Sequence, residues 1–136
     1  MVRSGLPSPR QWLKELAFVF TVTLLTNGAA LARDAGYRDS SESLPYLSLP
    51  AEARQVEQAI RNGGPFVYEK DGIVFGNRER RLPARARGYY REYTVATPGA
   101  QDRGARRIVC GGAEPTQPEV CYYSADHYNS FSRIVK

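Results

Sequence analysis

Four side chains of the sequence could together cleave a phosphodiester bond without a metal ion. Glu92 lies in a tyrosine-rich segment, Arg103 and Arg107 are four residues apart, and His127 is the single histidine. Transfer of phosphorus along a ribose needs a base for the 2′-hydroxyl proton, an acid for the departing 5′-oxygen, and cations that hold the phosphate. Glu92, His127 and the two arginines fit these roles and are the candidate catalytic residues.

Each of these residues also has a less specific interpretation. A glutamate in a strand is usually a solvent-facing partner of an arginine, and a lone histidine is usually a surface residue or one whose hydrogen bonds are satisfied. Spacing alone does not separate a site from a charged surface. The surrounding pattern has to decide between them.

The basic residues concentrate in the middle of the chain. The 136 residues carry a net charge of +5, and residues 78–107 hold nine arginines against Glu79, Glu92 and Asp102. Residues 33–77 sum to −2 and residues 108–136 to −1. A basic segment between mildly acidic ends favours a phosphate-bearing partner, and the alternative is a solvated surface that aids solubility.

The first 32 residues differ from the rest in composition. Arg3, Arg10 and Lys14 precede an apolar run at 16–25, which is followed by Ala30-Leu31-Ala32. This layout is typical of a secretory signal peptide cut after Ala32, because the apolar run is about half the length of a membrane-spanning helix. We therefore expect a secreted, extracellular protein that begins at residue 33, with an uncleaved membrane anchor as the alternative.

One helix and about five strands must position the candidate residues. Residues 33–47 lack apolar periodicity and are predicted to be a flexible lead-in. A helix is predicted from Ser48, a residue able to cap, to the stop at Gly63-Gly64. Strands are predicted at 73–75, 89–95, 106–110, 120–123 and 131–135. Residues 48–136 should thus form one α+β domain, with the helix on one face of a roughly five-stranded antiparallel sheet.

Alternation along the strands indicates which side chains share a face. Tyr93 should point to one side of the strand at 89–95, and Glu92 to the other. If the helix covers the first face, the second face is left to bear Glu92 and Arg107 in a basic, tyrosine-lined concavity.

The two cysteines of the chain are Cys110 and Cys121. Export to an oxidising compartment makes a disulfide between them the expectation. A structural zinc site needs four ligands, and the chain has a single histidine, so we predict no metal site.

Five runs of sequence resemble the secreted bacterial guanyl-specific ribonucleases, the microbial family related to barnase. The resemblance extends from about Leu49 to Val135, with a short additional stretch near 114–118. The runs are DGIVFGNRE at 71–79, GYYREYTV at 88–95, TPGA at 97–100, RGARRI at 103–108 and DHY at 126–128.

The resemblance implies a role for each matching residue. Glu92 would be the general base, His127 the general acid, and Arg103 and Arg107 the ligands of the scissile phosphate. Backbone N–H groups of the loop at 75–79 would face guanine O6, and the Glu79 carboxylate would accept hydrogen bonds from N1–H and N2–H. The implied guanine-binding residues are Phe75, Gly76, Asn77, Arg78, Glu79 and Tyr128.

The sequence departs from this family at three places. Close relatives carry Gln where this chain has Gly76, and some relatives join the two chain ends by a disulfide, which this chain lacks. The arginines at 80, 81, 85, 87 and 91 are denser than the family pattern. They could contact phosphates beyond the cleaved one, or they could form a charged surface.

The resemblance implies an activity and a set of partners. We expect cleavage of single-stranded RNA 3′ to guanosine, through a 2′,3′-cyclic phosphate and then a 3′-phosphate, by a monomer with no metal or cofactor. A barstar-type protein inhibitor is a further expected partner if the enzyme acts against competing cells. The alternative from another class is a non-catalytic secreted RNA-binding or toxin-like module.

Overall fold

The computed structural model describes residues 41–136. Their elements are, in chain order, β1 (Glu42–Pro45), a 3₁₀-helix (Tyr46–Ser48), α1 (Ala51–Asn62), β2 (Ile73–Val74), β3 (Tyr90–Thr94), β4 (Arg107–Gly111), β5 (Val120–Ser124) and β6 (Ser132–Val135). The predicted signal peptide at 1–32 lies outside the described residues. Within the described part, no helix is long and apolar enough to cross a membrane.

The strands form one six-stranded sheet in the order β1-β6-β5-β4-β3-β2. Strands β2 to β6 pair antiparallel, and β1 pairs parallel to β6. The predicted α+β class is confirmed, and the sheet has one strand more than predicted. The additional strand lies at 42–45, so the ordered domain begins before the boundary predicted near Leu47. This segment is ordered by main-chain pairing with β6. The strand was missed because main-chain hydrogen bonds do not require an alternation of apolar side chains.

Helix α1 has an apolar stripe that packs against the sheet. Ala53 and Ile60 are buried in a cluster with Tyr93, Ile108 and Tyr123. The helix begins after Pro50, which makes no side-chain cap, so Ser48 does not serve as the predicted cap. It ends at Gly63, whose φ of 76° is the left-handed conformation that terminates helices. The helix thereby covers one face of β3, β4 and β5.

The opposite face of the sheet carries its own small core. Leu82, Tyr90, Val109, Tyr122 and Phe131 are buried there. The face expected to be open is therefore partly covered by the segment around Leu82 and by the aromatic residues near the chain end. The polar residues of β3 and the start of β4 lie beside this second core.

Candidate active site

Glu92 and Arg107 lie on the same face of the sheet, as the alternation predicts. Thr94 of β3 pairs with Arg107 of β4, and Glu92 pairs with Val109. Glu92 and Arg107 are thus diagonal neighbours across two strands, at a separation that long side chains bridge. The face opposite α1 therefore brings together a carboxylate and a guanidinium.

Arg103 is held next to Glu92 by a hydroxyl of the same strand. Its Nε and Nη2 atoms donate to Thr94 Oγ1 at 3.1 and 2.7 Å. Nη2 lies 3.9 Å from Glu92 Oε1, and the Glu92 side chain is 14% exposed. The backbone of Thr94 in turn donates to Asp71 Oδ1 at 2.7 Å. Arg103 thus places a positive charge against a carboxylate with little exposure to water.

Arg107, the first residue of β4, is buried. Its Nη1 atom donates to the carbonyls of Arg106 and Gly104 at 2.8 and 2.9 Å. Among the described residues its Nε has no hydrogen-bond partner, although the residue is only 3% exposed. A buried N–H without a partner costs about 1–3 kcal/mol, which an oxygen of a bound anion would recover. The guanidinium is therefore fixed and short of an acceptor.

The turn between the two arginines requires glycine at position 104. Gly104 has a φ of +60°, and a Cβ atom there would overlap Thr97 Oγ1. A side chain at this position would force the turn away from Thr97 and move Arg103 and Arg107 with it. This explains the Arg-Gly-Ala-Arg-Arg run in terms of geometry.

Tyr128 lies beside the carboxylate and the buried arginine. Burial, followed by the charge of the neighbouring Glu92 carboxylate, raises the pKa of Tyr128 to about 12, and the Arg107 guanidinium opposes this shift. The Arg107 guanidinium carbon lies 5.8 Å from the centre of the Tyr128 ring. Tyr128 was predicted to contact only a base, and its contact with Glu92 is additional.

His127 occupies a tight turn after β5. Its N–H donates to the Ala105 carbonyl at 3.0 Å, which ties this turn to the arginine turn. The residue is exposed, and the centre of its ring lies 4.9 Å from the centre of the Tyr128 ring.

Asp126 holds the same turn together through its carboxylate. Ser124 Oγ and Ser130 Oγ both donate hydrogen bonds to Asp126. Hydrogen bonds, led by that from Ser130, lower the pKa of Asp126.

The predicted base-binding loop surrounds a cavity of about 180 Å³ next to this cluster. We call it the loop cavity. The rings of Phe75 and Tyr128 lie 5.1 Å apart, centre to centre. A flat base between them would need about 7 Å, twice the contact distance of carbon atoms. The residues that line it are Phe75, Gly76, Asn77, Arg78, Glu79, Arg81, Tyr128 and Phe131.

Asn77 shapes the loop through its side chain. Asn77 Nδ2 donates to the Leu82 carbonyl at 2.8 Å, and the Leu82 N–H donates to Asn77 Oδ1 at 3.1 Å. Its φ of 45° suits asparagine better than most residues. Because the amide group is used within the loop, Asn77 can offer its backbone, and not its side chain, to a ligand.

Glu79 projects from the rim of the loop cavity. Its side chain is 74% exposed, and its Oε2 atom lies 3.1 Å from Arg81 Nε. An exposed ion pair is weak, so a ligand could take the place of Arg81.

Gly76 is the position where relatives carry Gln. It has room for a side chain, since an added Cβ would lie 3.6 Å from Arg78 Cγ.

Three residues of the site were not predicted from the sequence. Thr94 anchors Arg103, Asp71 anchors Thr94, and Tyr68 places its ring 5.9 Å from the Arg103 guanidinium carbon. Thr94 could have been found, because it shares the face of Glu92 on one strand. Asp71 and Tyr68 could not, since only the folded chain brings them to β3.

Two other predictions concern covalent and metal chemistry. Cys110 and Cys121 are joined by a disulfide, and they pair directly across β4 and β5. This cystine lies in the cluster under α1, on the face opposite Glu92. Within residues 41–136, no three His, Cys, Asp or Glu side chains are grouped so that they could hold a metal ion.

Comparison with known protein families identifies relatives over most of the chain. A family model described as ribonuclease matches residues 32–135. Guanyl-specific ribonuclease Sa from Kitasatospora aureofaciens is 50% identical over 71% of this chain and 96% of its own length. Guanyl-specific ribonuclease Sa3 from the same organism is 53% identical over 65% of this chain, and the match spans 60% of that relative's length.

A third relative and two solved structures agree with these matches. Guanyl-specific ribonuclease St from Saccharopolyspora erythraea is 50% identical over 66% of this chain and 84% of its own length. A structure of ribonuclease Sa2 complexed with mononucleotides superposes with a TM-score of 0.66, at 42% identity, over 71% of this chain and 96% of that one. A second, of ribonuclease Sa2 with guanosine-2′-cyclophosphate, gives 0.64 at 43% identity, over 71% and 97%.

Proposed function

Because this chain belongs to the family of microbial guanyl-specific ribonucleases, we propose that it cleaves single-stranded RNA on the 3′ side of guanosine. The observation that carries the proposal is the cluster of Glu92, Arg103, Arg107 and Tyr128 beside the loop cavity. Candidate catalytic groups and the loop cavity share one face of the sheet, which supports a nuclease with base preference.

The reaction would proceed in two steps. Glu92 takes the proton of the ribose 2′-hydroxyl, and the 2′-oxygen forms a bond to phosphorus while the bond to the 5′-oxygen breaks. His127 gives its proton to that 5′-oxygen, so the products are a 2′,3′-cyclic phosphate and a free 5′-hydroxyl. In the second step His127 takes a proton from water, and the water oxygen forms a bond to phosphorus while the bond to the 2′-oxygen breaks. Glu92 gives its proton to that 2′-oxygen, so the product is a 3′-phosphate with a free 2′-hydroxyl.

Charge on the phosphate would be stabilised by the two arginines. Arg107 supplies a buried guanidinium whose Nε lacks an acceptor among the described residues, and Arg103 supplies a second one anchored on Thr94. Both are held in place by the protein before substrate arrives, so little reorganisation is needed as charge develops. The Tyr128 hydroxyl lies near both Glu92 and Arg107 and influences the same charged cluster.

Guanine selection would take place in the loop cavity. The rings of Phe75 and Tyr128 offer stacking surfaces, and a base either parts them or stacks on the outer face of one. Glu79 would accept hydrogen bonds from guanine N1–H and N2–H, a donor pair that adenine lacks. Adenine would leave the Glu79 carboxylate without these two hydrogen bonds and would therefore bind more weakly than guanine.

The proposal extends to where the enzyme acts. The basic residues, apolar run and Ala-Leu-Ala of residues 1–32 support export by a signal peptide. In an extracellular setting the enzyme would meet RNA released from cells. A barstar-type inhibitor and a monomeric state stay predictions.

Dinucleotides test the proposal most directly. The purified chain would be incubated with GpC and with ApC in EDTA, and the cyclic phosphate product would be detected by chromatography. We expect cleavage of GpC alone. Cleavage of both substrates would support the roles of Glu92 and His127 and contradict the role of Glu79. Cleavage of neither substrate by folded protein would favour the non-catalytic RNA-binding module.

A further inference from the structure

A second cavity borders the base-binding loop. It has a volume of about 610 Å³ and shares the wall formed by Phe75, Gly76, Asn77 and Arg78 with the loop cavity. None of Glu92, Arg103, Arg107 and His127 lines it. We call it the arginine cavity. Whatever it binds is separate from the phosphate that is cleaved.

The arginine cavity is lined by three arginines and no carboxylate. These are Arg78, Arg85 and Arg87, and all three side chains belong to exposed residues. Within residues 41–136, no salt bridge involves any of the three. Arg81, by contrast, pairs with Glu79 and does not line this cavity. Glu119 binds the Tyr89 hydroxyl at 2.9 Å but does not line the cavity. Three guanidinium groups that form no ion pair within residues 41–136 make a site for a negatively charged ligand.

The backbone that carries these arginines is firmly attached to the second core. Leu82 is 1% exposed, and the Tyr90 hydroxyl donates to the Pro83 carbonyl at 2.8 Å. The Tyr89 N–H closes a turn onto the Ala86 carbonyl at 3.1 Å. The Arg85 guanidinium carbon lies 4.9 Å from the centre of the Tyr89 ring. Arg85 is thus oriented by cation–π contact while its exposed N–H groups stay able to donate.

We propose that the arginine cavity binds a phosphate of the RNA chain other than the one that is cleaved. This inference rests on the proposed function, because the shared wall places the cavity beside a bound guanosine. A guanidinium group matches the geometry of phosphate oxygens and donates two parallel hydrogen bonds. The site would favour longer RNA over dinucleotides, and it would make the affinity for RNA depend on salt.

The test compares short and extended substrates with variants of Arg85 and Arg87. GpC, a substrate extended on the 5′ side (UpUpGpC) and one extended on the 3′ side (GpCpUpU) would be cleaved by the full chain and by R85Q, R87Q and the double variant. We expect kcat/KM on GpC to stay within about twofold, and the double variant to lose about three- to tenfold on at least one extended substrate. The substrate that shows the loss reports the direction of the RNA.

Salt dependence supplies a second readout. Each neutralised phosphate contributes about 0.7 to the slope of log affinity against log salt for a single strand, so each arginine replaced should lower the slope by about that amount. Binding of the labelled DNA strand d(TTGCTT), which has no 2′-hydroxyl and is not cleaved, gives this slope by fluorescence anisotropy.

Arg54 provides the matched control, since it lies on α1 on the opposite face of the sheet. R54Q removes the same charge and should leave the extended substrates and the salt slope unaffected. The inference would be overturned if R54Q and R87Q lost kcat/KM equally, or if no variant lost kcat/KM on an extended substrate. The arginines would then be candidates for binding an acidic protein partner. If the wild type fails to cleave GpC, the proposed function fails, while DNA binding still decides the role of the arginine cavity.

Discussion

Tyr128 connects the two halves of the candidate site. Its ring lines the loop cavity beside Phe75, and its hydroxyl lies near Glu92 and Arg107, which both influence its pKa. A base that stacks on this ring therefore displaces or orients a group that touches the proposed general base. Under the proposed roles, base recognition and catalysis would be coupled through one side chain, and a correct base would improve turnover as well as binding.

Replacement of either proposed proton-transfer group should reduce turnover and leave the fold intact. We expect E92Q and H127Q each to lower kcat on GpC by about 10²- to 10⁴-fold, the usual contribution of general acid–base catalysis. Initial rates and urea unfolding would be measured for both variants. E114Q removes an exposed carboxylate in the loop between β4 and β5 and serves as control. Turnover near that of the wild type in either variant would contradict the assignment.

Glu79 should determine base preference more than overall cleavage. The E79Q variant replaces a carboxylate oxygen by an amide group that donates, and it mismatches the guanine N1–H and N2–H pair. We expect the ratio of kcat/KM for GpC to that for ApC to fall by at least tenfold. R81Q, which removes the exposed partner of Glu79, should keep the ratio or raise it. An unchanged ratio in E79Q would place the base elsewhere.

Tyr128 should also make the protein less stable in alkali. An unfolded tyrosine ionises near pH 10, whereas the pKa of Tyr128 is raised to about 12 in the folded chain. The unfolded state then binds fewer protons than the folded state between these pH values, so the free energy of unfolding falls as pH rises from about 10 to 12. Burial also raises the pKa of Tyr93 and Tyr123, which adds to the effect.

Urea unfolding at pH 9, 10 and 11 would measure this dependence in the wild type and in Y128F. The variant should lose less stability over the same range, because it has no hydroxyl at this position to ionise. The same slope in both proteins would show that the environment of Tyr128 is not the one described.

At the scale of elements, β4 does the most to assemble the site. Its first residue, Arg107, faces the catalytic cluster, while Ile108 and Cys110 pack under α1. The strand pairs with β3, which carries Glu92, and with β5, which leads into the turn of His127. One strand in the middle of the sheet thus sets the positions of three catalytic candidates. A cystine ties it to β5.

Removal of the disulfide should cost stability without loss of activity. The bond closes a short loop, with the two cysteines separated by 11 positions, for which loop entropy predicts roughly 2–3 kcal/mol. We expect the double variant C110A/C121A to unfold at lower urea and to keep its GpC turnover, since the cystine lies on the helix side of the sheet. Reduced wild type is the control and should resemble the variant. An unchanged urea midpoint would contradict this expectation.

At the scale of the whole molecule, the sheet separates two apolar clusters. The cluster under α1 stabilises one face, and the cluster around Leu82, Tyr122 and Phe131 supports the base-binding loop on the other. Parallel pairing of β1 with β6 covers an edge of the sheet that would otherwise expose its N–H and C=O groups. The domain therefore begins at the residues before α1.

Truncation tests this boundary. A chain of residues 48–136 loses β1 and the packing of Leu44 and Tyr46 against the cluster under α1. We expect its free energy of unfolding to be about 1–3 kcal/mol below that of residues 33–136, from lost apolar burial and main-chain pairing. A chain of residues 41–136, which keeps β1, is the control. Equal stability of all three would show that β1 adds nothing to the fold.

The sequence by itself determined the helix, five strands, the α+β class and the face shared by Glu92 and Arg107. These follow from apolar periodicity and turn residues, which act over a few positions along the chain. The motifs at 71–79, 88–95, 103–108 and 126–128 indicate the family from the order of the residues alone.

Only the tertiary structure decided how distant groups meet. It placed Asp71 under Thr94, Tyr128 against Glu92, and β1 along β6. It also showed that the Asn77 amide is used within its loop and that three arginines line a cavity without a carboxylate. Each of these contacts depends on how the folded chain brings particular groups together. Such contacts produce no periodic pattern of apolar residues in the sequence, so they could not be predicted from it.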